Sequence, residues 1–285
     1  MSAGAWAKER RRTRNLILAV PLVAILGLFI GPLLTLLVLS FSGEAGPTLA
    51  NYAELGKPLY ARLSLFTVRL SLTITLVCLL IGYPIAYLIA VVGGVFARWT
   101  VAFVVLSLWL SILTRTFGWV VLLQRNGPIN QLIVGSGLSG KPLSLVYNEL
   151  GVVIGMVHLL LPFMVVALIP SIRALDPRLV RAALSLGASP ARTFAKIVLP
   201  LTLPGLAAGS ILVFTMAVGY FVTPAILGGG RATTIAMAIR NQVQVLVNLP
   251  LAAATSVALL VVSLGALLLY ERLSGVDRLF AGREP

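Results

Sequence analysis

The chain has 285 residues, 59% hydrophobic and only 11% charged, with a mean hydropathy of +1.03. A soluble domain carries about 25% charged residues, so a single water-facing fold around one core is excluded and much of the chain must face lipid. The formal net charge of +14 would favour nucleic acid in a soluble protein. Here the basic residues fill the gaps between apolar runs and do not interleave with aromatic residues on a polar face, so charge asymmetry across a membrane accounts for them.

In chain order, a basic tail over residues 1–15, with Lys8, Arg10, Arg11, Arg12 and Arg14, precedes an apolar run at 16–41. That run exceeds the roughly 7–15 residues of a signal-peptide core, and further spans follow it, so it reads as an uncleaved anchor. Further runs at 63–92, 99–123, 151–172, 203–227 and 249–270 each supply the roughly 20 residues that cross a bilayer. A second tail follows at 273–285. The predicted fold class is an all-α integral membrane bundle of six transmembrane helices. Fourteen of the 22 Lys and Arg fall on the side of the two termini, which places both termini in the cytoplasm.

Within the spans, Gly27 with Gly31, Gly151 with Gly155, and Gly205 with Gly209 form G-x-x-x-G pairs that let helix backbones approach. Pro84, Pro162 and Pro224 are expected to interrupt spans two, four and five, as shape alone or as movable gates. Cys78 is the single cysteine and lies in an apolar run, which excludes an internal disulfide or a cysteine-based metal site.

Catalytic chemistry finds no foothold. Gly135–Lys141 fits most of a phosphate-binding G-x-x-x-x-G-K pattern, but Pro142 stands where Ser or Thr must hold magnesium, so the segment reads as a loop. His158 is the only histidine, leaving metal clusters and Ser/His/Asp triads without a second one. A hydrogen bond between helices suits it better than pH sensing. The eight acids, Glu9, Glu44, Glu54, Glu149, Asp176, Glu271, Asp277 and Glu284, all lie in tails, loops or span ends. An ion-coupled transporter would carry an intramembrane carboxylate, so the energy should come from outside the chain.

The longest cytoplasmic connection, 173–202, could receive it. Asp176 is placed to cap a helix opened by Pro177 and stopped by Gly187. Ser189 is placed to cap a second, opened by Pro190 and closing before Pro200. The result is a rigid two-helix knob, or an ordinary amphipathic hairpin on the membrane surface.

Ala182-Ala183, Gly187, Ile197 and Leu199-Pro200 resemble the cytoplasmic signature of permease subunits of binding-protein-dependent ABC importers. The likeness runs from about Asn51 to Tyr270. Asn51-Tyr52, Gly82-Tyr83-Pro84, Arg115-Thr116 with Trp119, Asn126-Gly127 with Asn130, and Thr223-Pro224 with Leu227-Gly228-Gly229 are similar to the spermidine/putrescine-type branch, which also includes opine, 4-aminobutyrate and aminophosphonate permeases. The resemblance implies the type I importer permease fold over 16–272 in a bacterial inner membrane. It also implies an ATPase-docking loop built from Asp176, Arg181, Ala182, Ala183, Gly187, Ser189, Pro190, Leu199 and Pro200. The implied partners are two copies of an ABC ATPase, a second homologous permease and an extracytoplasmic solute-binding protein, with ATP and magnesium held by the ATPase and no cofactor in this chain.

Two departures stand out. Family members usually open the signature with Glu, where this chain has Arg181, and many polyamine-type relatives place an acid before the Thr-Pro of span five, where this chain has Tyr220. The expected pathway residues are Arg115, Trp119, Tyr220 and Thr223. Arg115 and Arg69 could face an aqueous cavity or snorkel to headgroups. Trp119 could stack on a solute or anchor at the interface. Asn126 and Asn130 could meet the binding protein or shape a turn. A stand-alone secondary transporter or channel is the alternative reading. A membrane-anchored nucleic-acid binder fails for want of a soluble domain.

Overall fold

The computed structural model describes residues 3–43 and 46–274, so residues 1–2 and 275–285 of the two expected tails lie outside the described residues. Contacts divide the chain into two compact units, one built on Pro58–Arg240 and the other on the chain up to Lys57 with Asn241–Leu259.

In the latter unit α1 (Ala3–Ser40) begins well before the expected anchor and runs through Pro21 and Pro32. Among the described residues nothing packs on the Gly27–Gly31 pair: no atom lies within 4 Å of a Cβ built on either glycine. Strands β1 (Ser42–Gly43) and β2 (Gly46–Pro47) pair antiparallel and lead into α2 (Ala50–Leu55). The Asn51-Tyr52 pair ties this turn together. Asn51 Nδ2 donates to the carbonyls of Ser40 (3.1 Å) and Ser42 (3.0 Å), and the Tyr52 hydroxyl lies 2.7 Å from Ser40 Oγ.

The larger unit is organised around α7 (Glu149–Arg173), which packs on α3 (Pro58–Tyr87) and α10 (Leu199–Gly219). Small residues set the helix spacing. A Cβ on Gly82 of α3 would stand 2.9 Å from Met164 Cγ, and one on Gly209 of α10 would stand 2.8 Å from Met164 Sδ. Met164 of α7, fully buried, therefore fills a slot that two glycines leave open. Gly155 meets Leu227 and Thr223 in the same way, and Gly205 meets Ser171.

Two expected spans prove to be broken. Span three is α4 (Gly94–Trp109) and α5 (Ile112–Leu123), with the axes of Ala97–Trp109 and Ile112–Gly135 bent by 103°. Leu110 (ψ 137°) and Ser111 (ψ 139°) are extended, which stops one helix and starts the next without proline or glycine. Span five stops at Gly219, where Tyr220 is extended, and resumes as α11 (Val222–Leu227). Pro224 sits in the first turn of α11, where the missing N–H has no intrahelical partner to lose, so it opens a helix rather than breaking one. Pro84 and Pro162 lie inside uninterrupted helices, so neither interrupts its span.

The remaining elements are α6 (Pro128–Gly135), α8 (Pro177–Ser185), α9 (Pro190–Thr193), α12 (Ile235–Gln244) and α13 (Leu249–Ser274). The second docking-loop helix does not close before Pro200. α9 passes through a π-helical turn, Phe194–Val198, directly into α10, and Pro190–Gly219 forms one apolar helical stretch. The wide turn immediately precedes Pro200, where an ordinary helix would meet both a missing donor and a ring clash. Among the described residues five helices are long and apolar enough to cross a membrane, and the bent α4–α5 pair supplies the sixth candidate.

Candidate functional site

Non-helical backbone at membrane depth is tolerated only where it is buried in protein or lines a cavity, because lipid offers no hydrogen bonds. The two breaks, Leu110–Ser111 and Tyr220–Phe221, therefore mark where polar groups should gather. Past the first break, α5 packs on both α7 and α11, and polar side chains meet along those contacts.

Trp119 Nε1 donates to Nδ1 of His158 at 3.0 Å, with the rings edge to face at 5.6 Å. His158 thus joins α5 to α7 as a neutral acceptor, the inter-helix hydrogen bond expected of it. Thr116 Oγ1 lies 3.2 Å from Thr223 Oγ1, joining α5 to α11, and both threonines are fully buried. The Arg115 guanidinium lies within electrostatic range of the Tyr220 and His158 side chains. Its Nε and Nη1 are buried and have no hydrogen-bond partner among the described residues. The four residues expected to line the pathway are thereby brought together. Thr116 and His158 join them beyond expectation: Thr116 adjoins Arg115 in sequence, whereas no local spacing points to His158.

Arg69 stands elsewhere. Its Nη2 donates to Glu149 Oε2 at 2.5 Å, and its guanidinium lies 5.5 Å from the centre of the Phe66 ring. Asn130 is buried and wholly engaged: Nδ2 donates to the carbonyls of Gln124 (3.1 Å) and Leu143 (3.0 Å), and Oδ1 accepts from Leu143 N (2.8 Å). A side chain used in this way shapes the loop and offers no group to another protein, whereas Asn126 is exposed. Gly135–Lys141 follows α6 and leads into non-helical chain, the reverse of the loop-then-helix order a phosphate cradle needs.

The second site is the α8–α9 knob. Asp176 Oδ1 accepts from Arg178 N (2.8 Å) and Ser189 Oγ from Arg192 N (3.3 Å), so each short helix has its side-chain cap, with Pro177 and Pro190 at the first position. At the end of α8, Gly187 N donates to the Leu184 carbonyl and Ala188 N to the Ala183 carbonyl, both at 3.0 Å, while Gly187 holds φ +82°. This is a Schellman stop, and it explains the spacing from Ala183 to Gly187, since the left-handed glycine turns the chain so that the next N–H reaches back to Ala183. Leu179, Leu184 and Leu186 are exposed, Leu186 at 89%. Tyr83 of α3 fixes the far side: its hydroxyl lies 2.9 Å from Thr202 Oγ1 on α10, and its ring meets Phe194 of the π turn edge to face at 5.7 Å. The knob is thus joined to α10 along one helical path and to α3 through Tyr83.

A helical bundle with broken helices around buried polar groups, joined to a capped knob, defines a membrane-spanning transport subunit. The chain belongs to the family described as binding-protein-dependent transport system inner membrane component, which it matches over residues 11–275. It is a multi-pass inner-membrane permease and not an enzyme. It is 35% identical over 225 residues to the spermidine/putrescine transport system permease protein PotB of Haemophilus influenzae, covering 79% of each chain. The identity to PotB of Escherichia coli K12 is 36% over 227 residues, 80% of this chain and 82% of that one. Among solved structures, a bacterial alginate ABC transporter in complex with its periplasmic protein has a chain that superposes with TM-score 0.72 at 18% identity, over 94% of this chain and 96% of that chain. Family membership sets aside the stand-alone transporter.

Proposed function

We propose that the chain is the membrane subunit of an ABC importer for a small organic amine, polyamine-like or a related amino-acid derivative. Its PotB relatives support the solute class, and the α8–α9 knob carries the mechanism. Both termini and the knob face the cytoplasm. A separate ATPase, in two copies, holds ATP and magnesium and receives the knob in a cleft. A second homologous permease completes the pathway, and an extracytoplasmic binding protein delivers solute to the opposite mouth, near exposed Asn126. Closure of the ATPases pushes the knob, and α10 and Tyr83 pass the displacement to the helices that hold Arg115, Trp119, Tyr220 and Thr223.

The single observation behind this reading is that caps and a Schellman stop make an exposed knob rigid while it stays continuous with a membrane helix. Arg181, exposed on α8, replaces the acid usual at this contact, so the ATPase should present a carboxylate opposite it. The test is cross-linking from Leu186→Cys in membranes holding the whole transporter. The native Cys78 is fully buried and stays silent. The expected product joins this chain to the ATPase, and labelling of Leu186→Cys that never includes the ATPase refutes the docking role.

A further inference from the structure

We propose that the hollow between the α3–α4 turn and the end of α7 binds an anionic phospholipid, whose phosphate lies between Arg98 and Arg173. The inference goes beyond the transport role and takes from it only the cytoplasmic side of the knob.

Local structure builds the hollow. After α3 the helix widens into a π turn, Leu88–Val92, and Gly93 (φ +63°) with Gly94 (φ +71°) reverses the chain into α4. A Cβ on either glycine would meet nothing within 4 Å, so the turn leaves space beside it. The cavity there measures about 310 Å³, room for a headgroup phosphate and the glycerol next to it. Ile89, Ala97 and Val101 give it an apolar lining, with Ile89 and Ala97 buried. Arg98 of α4 and Arg173 at the end of α7 line it with charge. Both arginines are exposed, and neither joins an ion pair among the described residues. Of the two acids between Pro58 and Arg240, Glu149 binds Arg69 and Asp176 caps α8.

Two unmatched cations in one hollow call for an anion, and guanidinium groups match a phosphate in geometry. The surroundings call for an apolar part to the same ligand. Val92 (62%) and Val95 (66%), which flank the two glycines, and Trp99 (72%), which follows Arg98, are exposed. Exposed valines suit acyl chains, and an exposed Trp suits the level of the headgroups. Inorganic phosphate would use the charges and leave the apolar surface bare, whereas a phospholipid uses both. Basic pockets between membrane helices on the cytoplasmic side are where anionic headgroups are held. Setting the orientation of a span asks only for charge in the segment, not for two arginines in one hollow. Arg173 also ends α7 just before Asp176, the cap of α8, so the lipid lies at the root of the knob.

The test uses the assembled transporter in detergent. Native mass spectrometry compares the first lipid retained from phosphatidylglycerol and from phosphatidylcholine with the same acyl chains. Wild type should favour phosphatidylglycerol by about 30-fold, each arginine near the headgroup contributing about fivefold. Arg98→Gln and Arg173→Gln should each remove about fivefold and the double variant nearly all, while Arg98→Lys with Arg173→Lys keeps most of it. Where the double variant does not assemble, the single variants carry the test. Arg125→Gln with Arg231→Gln removes two exposed cations outside the hollow and should change nothing. A preference that survives loss of Arg98 and Arg173 overturns the proposal, and if the ATPase is lost from that variant instead, the hollow receives a protein. A preference that falls as far when Arg125 and Arg231 are replaced also overturns it, because net charge alone is then at work. Displacement of the lipid by millimolar inorganic phosphate overturns it in favour of a soluble anion. None of these results bears on the Leu186→Cys cross-link, which tests the docking role separately.

Discussion

Gly187 offers a graded test of the knob. Its φ of +82° lies in the left-handed region, and a Cβ there would touch nothing within 4 Å, so substitutions act through the backbone alone. Left-handed geometry costs an ordinary L-residue about 1–2 kcal/mol, and Asn less because its short polar side chain tolerates it. A penalty of that size depletes the docked geometry about 5- to 30-fold. Valine, β-branched, should do worse than alanine. Proline goes further: it fixes φ near −65° and removes the N–H that donates to the Leu184 carbonyl, a bond worth about 0.5–1.5 kcal/mol net. The assay is ATP hydrolysis by the reconstituted transporter, stimulated by loaded binding protein, with membrane insertion followed separately. Stimulation should fall in the order Gly, Asn, Ala, Val, Pro while insertion is unchanged. Valine coupling as well as glycine would refute the argument that the Schellman stop sets the angle of the knob.

Three further substitutions probe neighbouring parts of the account. Asp176→Ala removes the cap of α8 and should cost about 1 kcal/mol locally, read as faster amide exchange over Pro177–Ser185 with little change elsewhere. Tyr83→Phe keeps the ring against Phe194 but loses the contact with Thr202, about 1 kcal/mol, and should weaken coupling of ATP hydrolysis to uptake without loss of assembled protein. Gly209→Leu drives a side chain into Met164 where even a Cβ would stand 2.8 Å from Sδ; it should cost about 1–3 kcal/mol or more and lower the melting temperature of the purified subunit, and pairing it with Met164→Ala should restore part of the loss.

What could be read in the sequence follows the reach of each physical rule. Helix caps act over three residues, so Asp176, Pro177, Gly187, Ser189 and Pro190 were legible one by one, and the structure holds each in its expected place. Apolar runs marked the spans, and the small residues Gly155, Gly205 and Gly209 marked packed faces. The breaks were not legible. Leu110–Ser111 carries no proline or glycine, so no local rule marks the point where one helix stops and the next begins. Proline misled in the opposite direction: Pro84 and Pro162 sit in continuous helices, and Pro200 is accommodated by the π turn before it. The polar cluster depended on tertiary contacts, since Trp119 and His158 are 39 residues apart and no local spacing joins them. The same holds for Asn130, whose burial is set by the loop reaching Leu143.

The central claim is that this chain provides a route and receives its driving force from an ATPase at Asp176–Pro200. Uptake into proteoliposomes of the solute carried by its binding protein, with and without the ATPase and ATP, tests it most directly. The account predicts uptake only when the ATPase, the second permease, loaded binding protein and ATP are all present. Uptake by this chain alone, indifferent to ATP, would contradict it.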